Sequence, residues 1–308
     1  MTPIDQMQFS FDPVAVKVLN VVLATVVFGA ALDVRLDDFR RILVSPKGPL
    51  VGCLSQFVLL PATASLCVWL LKPAPSLGLG ILLVAACPGG AVSNFYTLLA
   101  RGNVALSLTV SAFSTLVAMV MTPFNFFFWG SLNPVTSGLL REIAVDPAEI
   151  LLAAFFMLIL PTLLAMSLRH WRAALADRLL RPARTLGVLL LTGFIIAGIA
   201  ANLQHATYVA MAFVIVLLVN AAGLAVGYGA SRAAGLPHYD AKAVSLETGI
   251  QNAGFGLVLV FQFFGGLGGM ALIAAWWGVW HLISGLVLAL WWARMQGREE
   301  AAVTPAST

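Results

Sequence analysis

One acidic residue, Glu247, lies inside a long apolar stretch of the sequence, where it heads the run ETGIQNAG at 247–254. A carboxylate inside a membrane-sized apolar segment is costly to bury and is by default a functional hypothesis. The alternative is a carboxylate at the membrane interface, because Glu247 lies about 7.5 Å along a helix from Lys242 at 1.5 Å per residue. The polar and glycine residues that follow favour burial, since a helix that only spans a membrane does not need them.

A second interruption, the run CPGGAVSN at 87–94, lies in another apolar stretch. Pro88 removes a backbone donor, and Gly89 and Gly90 loosen the helix. Unwound helices expose carbonyls that can bind a hard cation, and half-helix N-termini present amides and positive dipole ends to an anion. Two interrupted helices in corresponding positions therefore indicate the binding site of a secondary transporter.

The composition indicates that these runs lie in lipid. Of 308 residues, 60% are apolar and 10% are charged, whereas soluble domains have about 45–50% and about 25%. The net charge of +4 does not indicate nucleic-acid binding, because the basic residues lie between apolar segments and form no single patch. The 3 cysteines lie inside apolar segments without a CxxC pair, so neither a disulfide framework nor a zinc site is predicted.

Nine stretches are long enough for membrane helices, which need about 20 predominantly apolar residues. These continuous runs favour an all-α polytopic membrane protein over a barrel of alternating strands. The predicted spans are 14–32, 50–71, 77–100, 104–128, 150–168, 185–203, 206–230, 241–264 and 267–292.

The basic residues predict the orientation of these spans. With the N-terminus outside, fourteen of the 17 Lys and Arg fall in cytoplasmic segments, as the positive-inside rule requires. Lys72 and Arg141 fall outside, and Lys17 lies near the outer end of the first span. We therefore expect a multi-pass protein of the cell inner membrane, with a periplasmic N-terminus and a cytoplasmic C-terminus.

The order of the spans predicts an inverted repeat. When spans one to four are laid on spans six to nine, the interrupted third and eighth spans coincide and run in opposite directions. The predicted divisions are a periplasmic tail at 1–13, a first repeat of four helices at 14–128, a second repeat of five at 150–292 and a cytoplasmic tail at 293–308. We expect the first helix of an ancestral five to be missing from the first repeat.

Over nearly its whole length the chain resembles the bile acid:sodium symporter family, whose CPGG…SN and ExGxQN signatures match 87–94 and 247–252. The resemblance extends to the turn at 100–103 and to Gln56 followed by Pro61. It implies a core domain with two crossing discontinuous helices, a panel domain that moves against it, and sodium-coupled transport of an organic anion by alternating access.

The resemblance also implies two sodium sites built from oxygen ligands, which hard cations favour. The first would use Ser93, Asn94, Ser107, Ser111 and Glu247. The second would use Gln56, Glu247, Thr248, Ile250 and Gln251. Considered alone, Ser107 and Ser111 lie one turn apart on a helix and are also compatible with hydrogen bonding between helices.

The substrate positions implied by the resemblance are Ala91, Asn252 and His281. Ala91 stands where many relatives have Thr, and His281 is followed by Leu282 where some have Asn, so two donors to a substrate carboxylate are absent. His281 is either a substrate contact or a packing residue. We therefore expect a small organic anion as substrate, with sodium and the lipid bilayer as the other partners and no cofactor besides the coupling ions.

Three other functions can be compared with this expectation. An intramembrane enzyme is disfavoured, because the sequence has no HExxH or GxSxG motif and three of its 4 histidines lie in loops or at span edges. A proton-coupled carrier or facilitator of organic anions remains open, because a buried carboxylate can bind a proton as well as sodium. A metalloid exporter with Cys87 as a soft ligand is weaker, since that cysteine is isolated.

The odd number of predicted spans places the two ends of the chain on opposite sides of the membrane. We expect a phosphatase reporter to be active when fused to the N-terminus and a fluorescent reporter to mature when fused to the C-terminus. Fusions that place both ends on the same side would contradict the nine-span topology.

Overall fold

The computed structural model describes residues 2–8, 13–32, 44–90, 92–143, 146–200 and 206–303. In these parts of the chain the regular structure is helical, apart from two isolated β-bridges. The prediction of an all-α fold is confirmed. The predicted cytoplasmic residues Arg35, Arg40 and Arg41 lie outside the described residues.

The described helices are numbered here in chain order. They are α1 Pro3–Gln6, α2 Pro13–Ala31, α3 Lys47–Leu71, α4 Pro75–Ala86, α5 Val92–Leu99, α6 Val104–Leu132, α7 Ser137–Glu142, α8 Pro147–Trp171, α9 Ala173–Ala200, α10 Ala206–Ala233, α11 His238–Gly249, α12 Ala253–Phe263 and α13 Gly268–Val303.

Five of these helices have stretches long and apolar enough to cross a membrane: α3, α6, α8, residues Tyr208–Ala233 of α10 and residues Gly268–Met295 of α13. Shorter apolar stretches occur at Asn20–Gly29, Pro75–Ala86 and Ala253–Phe263. A helix of about 20 apolar residues matches the hydrocarbon thickness of a bilayer. The chain is therefore a membrane protein with several apolar helices.

Two apolar segments are interrupted at the positions that the Pro and Gly residues indicated. Helix α4 ends at Ala86 and α5 begins at Val92, while α11 ends at Gly249 and α12 begins at Ala253. The two breaks bind each other: Gly90 N donates to Ile250 O at 2.7 Å, and Asn252 N donates to Pro88 O at 2.9 Å. Because lipid offers no hydrogen bonds, backbone groups freed by a break need partners within the protein.

Helices α3 and α8 each contain one π-helical turn, at Ser55–Leu59 and Phe155–Ile159. Each turn precedes a Leu-Pro pair, and the proline nitrogen has no hydrogen to donate to the carbonyl four residues earlier. Within each π-helical turn one hydrogen bond spans five residues. Leu60 N donates to Ser55 O, and Leu160 N donates to Phe155 O. Such turns are frequent at functional sites, and the first contains Gln56.

The helices pack in two groups. Helices α2, α8 and α9 contact one another, whereas the interrupted pairs lie among α3, α6, α10 and α13. The groups meet where α2 contacts α12, where α6 contacts α8 and where α9 contacts α13. Both breaks therefore lie within one helix group, close to the boundary with the other.

The N-terminal segment packs against the start of α4 and the loop before α13. Met7 O accepts a hydrogen bond from Gly268 N at 2.7 Å. Asp5 is buried, and its carboxylate accepts hydrogen bonds from Ser76 N at 2.9 Å and from Thr2 N and Oγ1 at 2.8 Å each. Ser76 N is one of the first amides of α4, which have no partner inside their own helix. Asp5 therefore caps α4 from a distant part of the chain.

We expect Asp5→Ala to lower the free energy of unfolding by about 1.5–3 kcal/mol, the usual contribution of hydrogen bonds to a charged group. Burial alone would raise the pKa of the Asp5 carboxyl, but the hydrogen bonds from Ser76 and Thr2 outweigh it and lower the pKa. Asp5 therefore makes its full contribution to the free energy of unfolding when the pH is above the pKa of this carboxyl in the unfolded chain. The contribution is lost as the pH falls through the lower pKa of the folded protein. The measurement is the melting temperature of the purified protein against pH.

The matched control is Gln6→Ala, because Gln6 is exposed on the same short helix. A melting-temperature difference between wild type and Asp5→Ala that stays constant from neutral to strongly acidic pH would contradict this role of the carboxylate.

Candidate cation and substrate site

The carboxylate of Glu247 is the centre of a buried polar cluster. Its side chain is 1% exposed and projects from α11. Oε2 accepts hydrogen bonds from Ser93 Oγ at 2.6 Å and Ser107 Oγ at 3.3 Å, and Oε1 accepts one from Ser111 Oγ at 2.6 Å. Ser93 lies on α5, and the other two serines lie on α6. The burial of Glu247 agrees with the prediction, because the residue is enclosed by α5, α6 and its own helix α11.

Gly89 allows the first break to lie directly against this carboxylate. A Cβ atom at position 89 would overlap Glu247 Oε1, so any other residue there would displace the acidic side chain. Gly90 is similarly close to the backbone of Gln251, which faces it across the other break. The two glycines are needed for this close approach rather than for an unusual backbone angle.

The five residues predicted for the first cation site lie together. Ser111 Oγ is 3.3 Å from Asn94 Oδ1 as well as being bonded to Glu247, and Thr97 Oγ1 donates to Ser107 Oγ at 3.3 Å. Ser107 and Ser111 do bond between helices, but the acceptor that they share is an acidic side chain. A carboxylate surrounded by hydroxyl and amide oxygens has the ligand chemistry that hard cations prefer.

Three of the residues predicted for the second cation site, Gln56, Thr248 and Gln251, form a hydrogen-bonded group beside the first. Gln56 Nε2 donates to Gln251 Oε1 at 2.7 Å, and Gln251 Nε2 lies 3.2 Å from Gln56 Oε1 and 2.6 Å from Thr248 O. Both glutamines are fully buried. The Ile250 carbonyl accepts from Gly90 N, so one of its lone pairs is already used. Glu247 immediately precedes Thr248 in the same helix.

A cavity of about 60 Å³ lies beside the first cluster, at the boundary between the two helix groups. Asn94 and Asn252 stand at the first turns of α5 and α12, so the positive ends of both helices face this space. Asn252 Oδ1 accepts from Phe255 N at 3.1 Å, which directs its carbonyl oxygen into the helix turn. The cavity is lined by Val26, Val27, Ala31, Gly89, Asn94, Ser111, Ala112, Thr115, Thr162 and Asn252.

The other two predicted substrate residues are placed differently. Ala91 lies outside the described residues. His281 is buried on α13 and does not line the cavity, and its Nδ1 has no hydrogen-bond partner among the residues that the structure describes. Of the two described positions, Asn252 lines the cavity and His281 does not.

The sequence analysis missed four polar residues at or near the site. Thr97 is buried and bonds Ser107 in the first cluster. Thr115 and Thr162 line the cavity, and Asn220 is fully buried against the second break. Thr162 belongs to α8, in the helix group opposite the breaks. A polar residue inside an apolar span is the signal that could have found them, since such residues usually bond between helices.

A larger cleft, of about 840 Å³, lies between α6 and α8 and shares no lining residue with the site. Its walls are almost entirely apolar and include Phe124, Phe127 and Phe128. Polar groups fix ligand orientation in binding sites, and this cleft offers the Ser131 side chain as its one polar lining residue. It has no groups suited to an organic anion.

Comparison with known proteins agrees with this arrangement. A model of the sodium bile acid symporter family matches residues 20–223. An uncharacterized sodium-dependent transporter of Bacillus subtilis is 30% identical over 284 residues, which cover 92% of this chain and 85% of that protein.

A plant and an animal contain relatives as well. The probable chloroplast sodium/metabolite cotransporter BASS1 of Arabidopsis thaliana is 33% identical, over 88% of this chain and 66% of its own length. The human ileal sodium/bile acid cotransporter is 28% identical, over 76% of this chain and 66% of its own length. These relatives are transporters and not enzymes. The chain belongs to the sodium bile acid symporter family.

Proposed function

We propose that this protein is a sodium-coupled symporter that carries a small organic anion across the inner membrane by alternating access. The observation that carries the proposal is the buried Glu247 carboxylate, held by three serine hydroxyls directly against the first helix break. This arrangement joins a cation-binding group to the backbone that forms the anion-binding end of α5.

The charge of Glu247 favours a cation at the first site. Its three hydrogen-bond donors are neutral hydroxyls, which solvate the carboxylate without neutralising it. A buried charge is stable only when it is paired or bound to a metal ion. Sodium bound to Glu247, Asn94 and the serine oxygens supplies that charge.

The second sodium ion is assigned to the neutral oxygens of Gln56, Thr248, Ile250 and Gln251 together with Glu247. Gln56 and Gln251 already lie within hydrogen-bond distance of each other, so a small shift of the two amides can direct both side-chain oxygens to one cation. Because Gln251 and Ile250 belong to the second break, this ion would act on the half-helix that begins with Asn252.

The cavity favours a small anion. Two helix N-termini and the Asn252 amide face it, and these are groups that bind a carboxylate. Its volume of about 60 Å³ corresponds to a few water molecules, since one water needs about 10–15 Å³ on the same measure. A small carboxylate matches this space better than a steroid, and the bile acid in the names of some relatives is therefore not assigned to this chain.

The topology of the proposal is nine spans arranged as an inverted repeat, with the N-terminus in the periplasm. Two supporting observations are the interruptions in α4/α5 and α11/α12 and the antiparallel contact that joins them. Paired discontinuous helices at the interface of inverted halves are typical of secondary transporters. Movement of α2, α8 and α9 against the other helices would open the cavity to alternate sides.

The hydrogen bonds of Glu247 are compatible with proton coupling as well, because a serine hydroxyl can donate or accept. Ser93 Oγ lies 2.6 Å from Glu247 Oε2 and 2.7 Å from Gly90 O, and its single hydrogen can bond only one of these oxygens. Sodium is favoured by the Asn94 and Ser111 oxygens beside the carboxylate, which a hard cation needs as ligands. A metalloid exporter has less support still. The Cys87 thiol is fully buried and donates to Leu83 O of its own helix at 3.2 Å.

We expect Glu247→Gln to fold but to lose sodium-dependent uptake. Removing a unit charge about 4 Å from a cation costs about 4 kcal/mol at an effective dielectric constant of about 20, which weakens sodium binding by about a thousandfold. The measurement is sodium-dependent uptake into proteoliposomes of a carboxylate that stabilises the purified protein in sodium.

The control for this variant is Ser245→Ala on the same helix, which removes a buried hydrogen bond to Leu224 O and leaves the site intact. Ser245→Ala should keep its sodium dependence. Wild-type uptake by Glu247→Gln would rule out the proposed role of the carboxylate.

Transport of a monocarboxylate with two sodium ions should be electrogenic, because each cycle moves one net positive charge. One charge crossing 100 mV corresponds to about 2.3 kcal/mol, so an inside-negative potential should raise accumulation by tens of fold. The measurement is uptake into proteoliposomes with a potassium diffusion potential imposed in either direction. Equal accumulation of a confirmed monoanion at both polarities would exclude two-sodium coupling with a permanently ionised Glu247.

A further inference from the structure

Asn220 connects three helices next to the second break. Its side chain is fully buried on α10, where Nδ2 donates to Gly249 O at 2.8 Å and Oδ1 accepts from Ser284 Oγ at 2.7 Å. Gly249 ends α11, and Ser284 lies on α13. The amide therefore uses both of its polar atoms to hold α11 and α13 together.

The bond to Gly249 satisfies a carbonyl that the break leaves without a helical partner. In a continuous helix, Gly249 O would accept from Ala253 N, but Ala253 N donates to Gln251 O at 2.9 Å. An unpaired carbonyl in lipid costs several kcal/mol. Asn220 thus stabilises the interrupted conformation rather than a continuous helix.

Close packing of α10 on α11 allows this short side chain to reach the backbone. Gly223 and Gly227 lie near the same face as Asn220, and a Cβ atom at position 227 would lie 2.7 Å from Thr248 Oγ1. At position 223 it would lie 3.7 Å from Thr248 O. Small residues permit such close contact between membrane helices.

The first break has an equivalent contact. Gln56 Nε2 donates to Cys87 O at 2.8 Å, and Cys87 directly follows the last residue of α4. In each half of the chain, a buried primary amide on the preceding long helix thus donates to a carbonyl at the start of a break. Gln56 also belongs to the proposed second sodium site, whereas Asn220 bonds the peptide adjoining that site.

We propose that Asn220 is a positioning residue for sodium, a role that rests on the proposed function. By fixing the Gly249 carbonyl, Asn220 sets the orientation of the peptides on either side of it, whose oxygens belong to Thr248 and Ile250. It thereby holds the backbone oxygens of the second sodium site in place without contacting the ion.

The test uses sodium alone as the probe, so it needs no knowledge of the transported anion. The melting temperature of the purified protein is measured while sodium chloride replaces potassium chloride at constant ionic strength, and the sodium concentration for half-maximal stabilisation is read from the curve. We expect Asn220→Ala to raise this concentration by about tenfold, which corresponds to about 1.4 kcal/mol.

Two further variants separate positioning from general packing. Ser231→Ala removes a buried hydroxyl that bonds Gly227 O of the same helix, so it should leave the half-maximal sodium concentration unchanged. Ser284→Ala removes the second hydrogen bond of Asn220 while leaving its amide in place. It should shift the half-maximal concentration in the same direction by a smaller factor, and it serves as the test if Asn220→Ala does not fold.

The outcomes distinguish the two proposals. A lower melting temperature in both salts, with an unchanged half-maximal sodium concentration in Asn220→Ala, would show a purely structural role and overturn the inference. For a misfolded Asn220→Ala, an unchanged value in Ser284→Ala would overturn it equally. A wild-type protein that sodium stabilises no more than potassium does would contradict sodium coupling itself and, with it, the role of Asn220.

Discussion

The structure depends on one constraint, which is that a helix broken inside a membrane must satisfy its freed backbone groups within the protein. Here the two breaks satisfy each other, through the bonds from Gly90 N to Ile250 O and from Asn252 N to Pro88 O. Buried amides complete the set, because Gln56 and Asn220 bond the carbonyls of Cys87 and Gly249. Neither break can be rearranged alone without leaving polar groups unpaired in lipid. The contact between the breaks therefore positions the helix ends beside the cavity.

The two breaks contribute different groups to the site. The second follows the acidic side chain Glu247, and the first supplies Gly89, whose missing side chain makes room for that carboxylate. A carboxylate is thus buried against the first break, and a buried negative charge is unfavourable unless it is paired or bound to a cation. In the proposed symporter, cation and anion would act on the same few peptides. Coupling between two bound ligands is reciprocal. If the ion raises the affinity of the protein for the anion, the anion raises its affinity for the ion by the same factor.

The cavity also suits the proposed coupling of binding to movement. Its polar wall comes from the breaks and α6, while Val26, Val27 and Thr162 come from α2 and α8 in the other helix group. A ligand in this space would contact both groups at once. It would shift the equilibrium between two relative positions of the groups only by the difference in its affinity for the two states.

The sequence by itself determined the all-helical membrane fold, the two interruptions and the acidic residue at their centre. These features follow from local chemistry. Long apolar runs are typical of membrane helices, Pro and Gly disrupt helices, and a lone carboxylate in an apolar segment is costly and therefore indicates a functional role. The family resemblance already named the serines that meet Glu247, whereas the tertiary structure decided that His281 does not line the cavity and that Thr162 and Asn220 belong to the surroundings of the site. Such facts depend on how helices distant in sequence face each other, since a polar residue in a span can bond any neighbouring helix and its spacing does not specify which one.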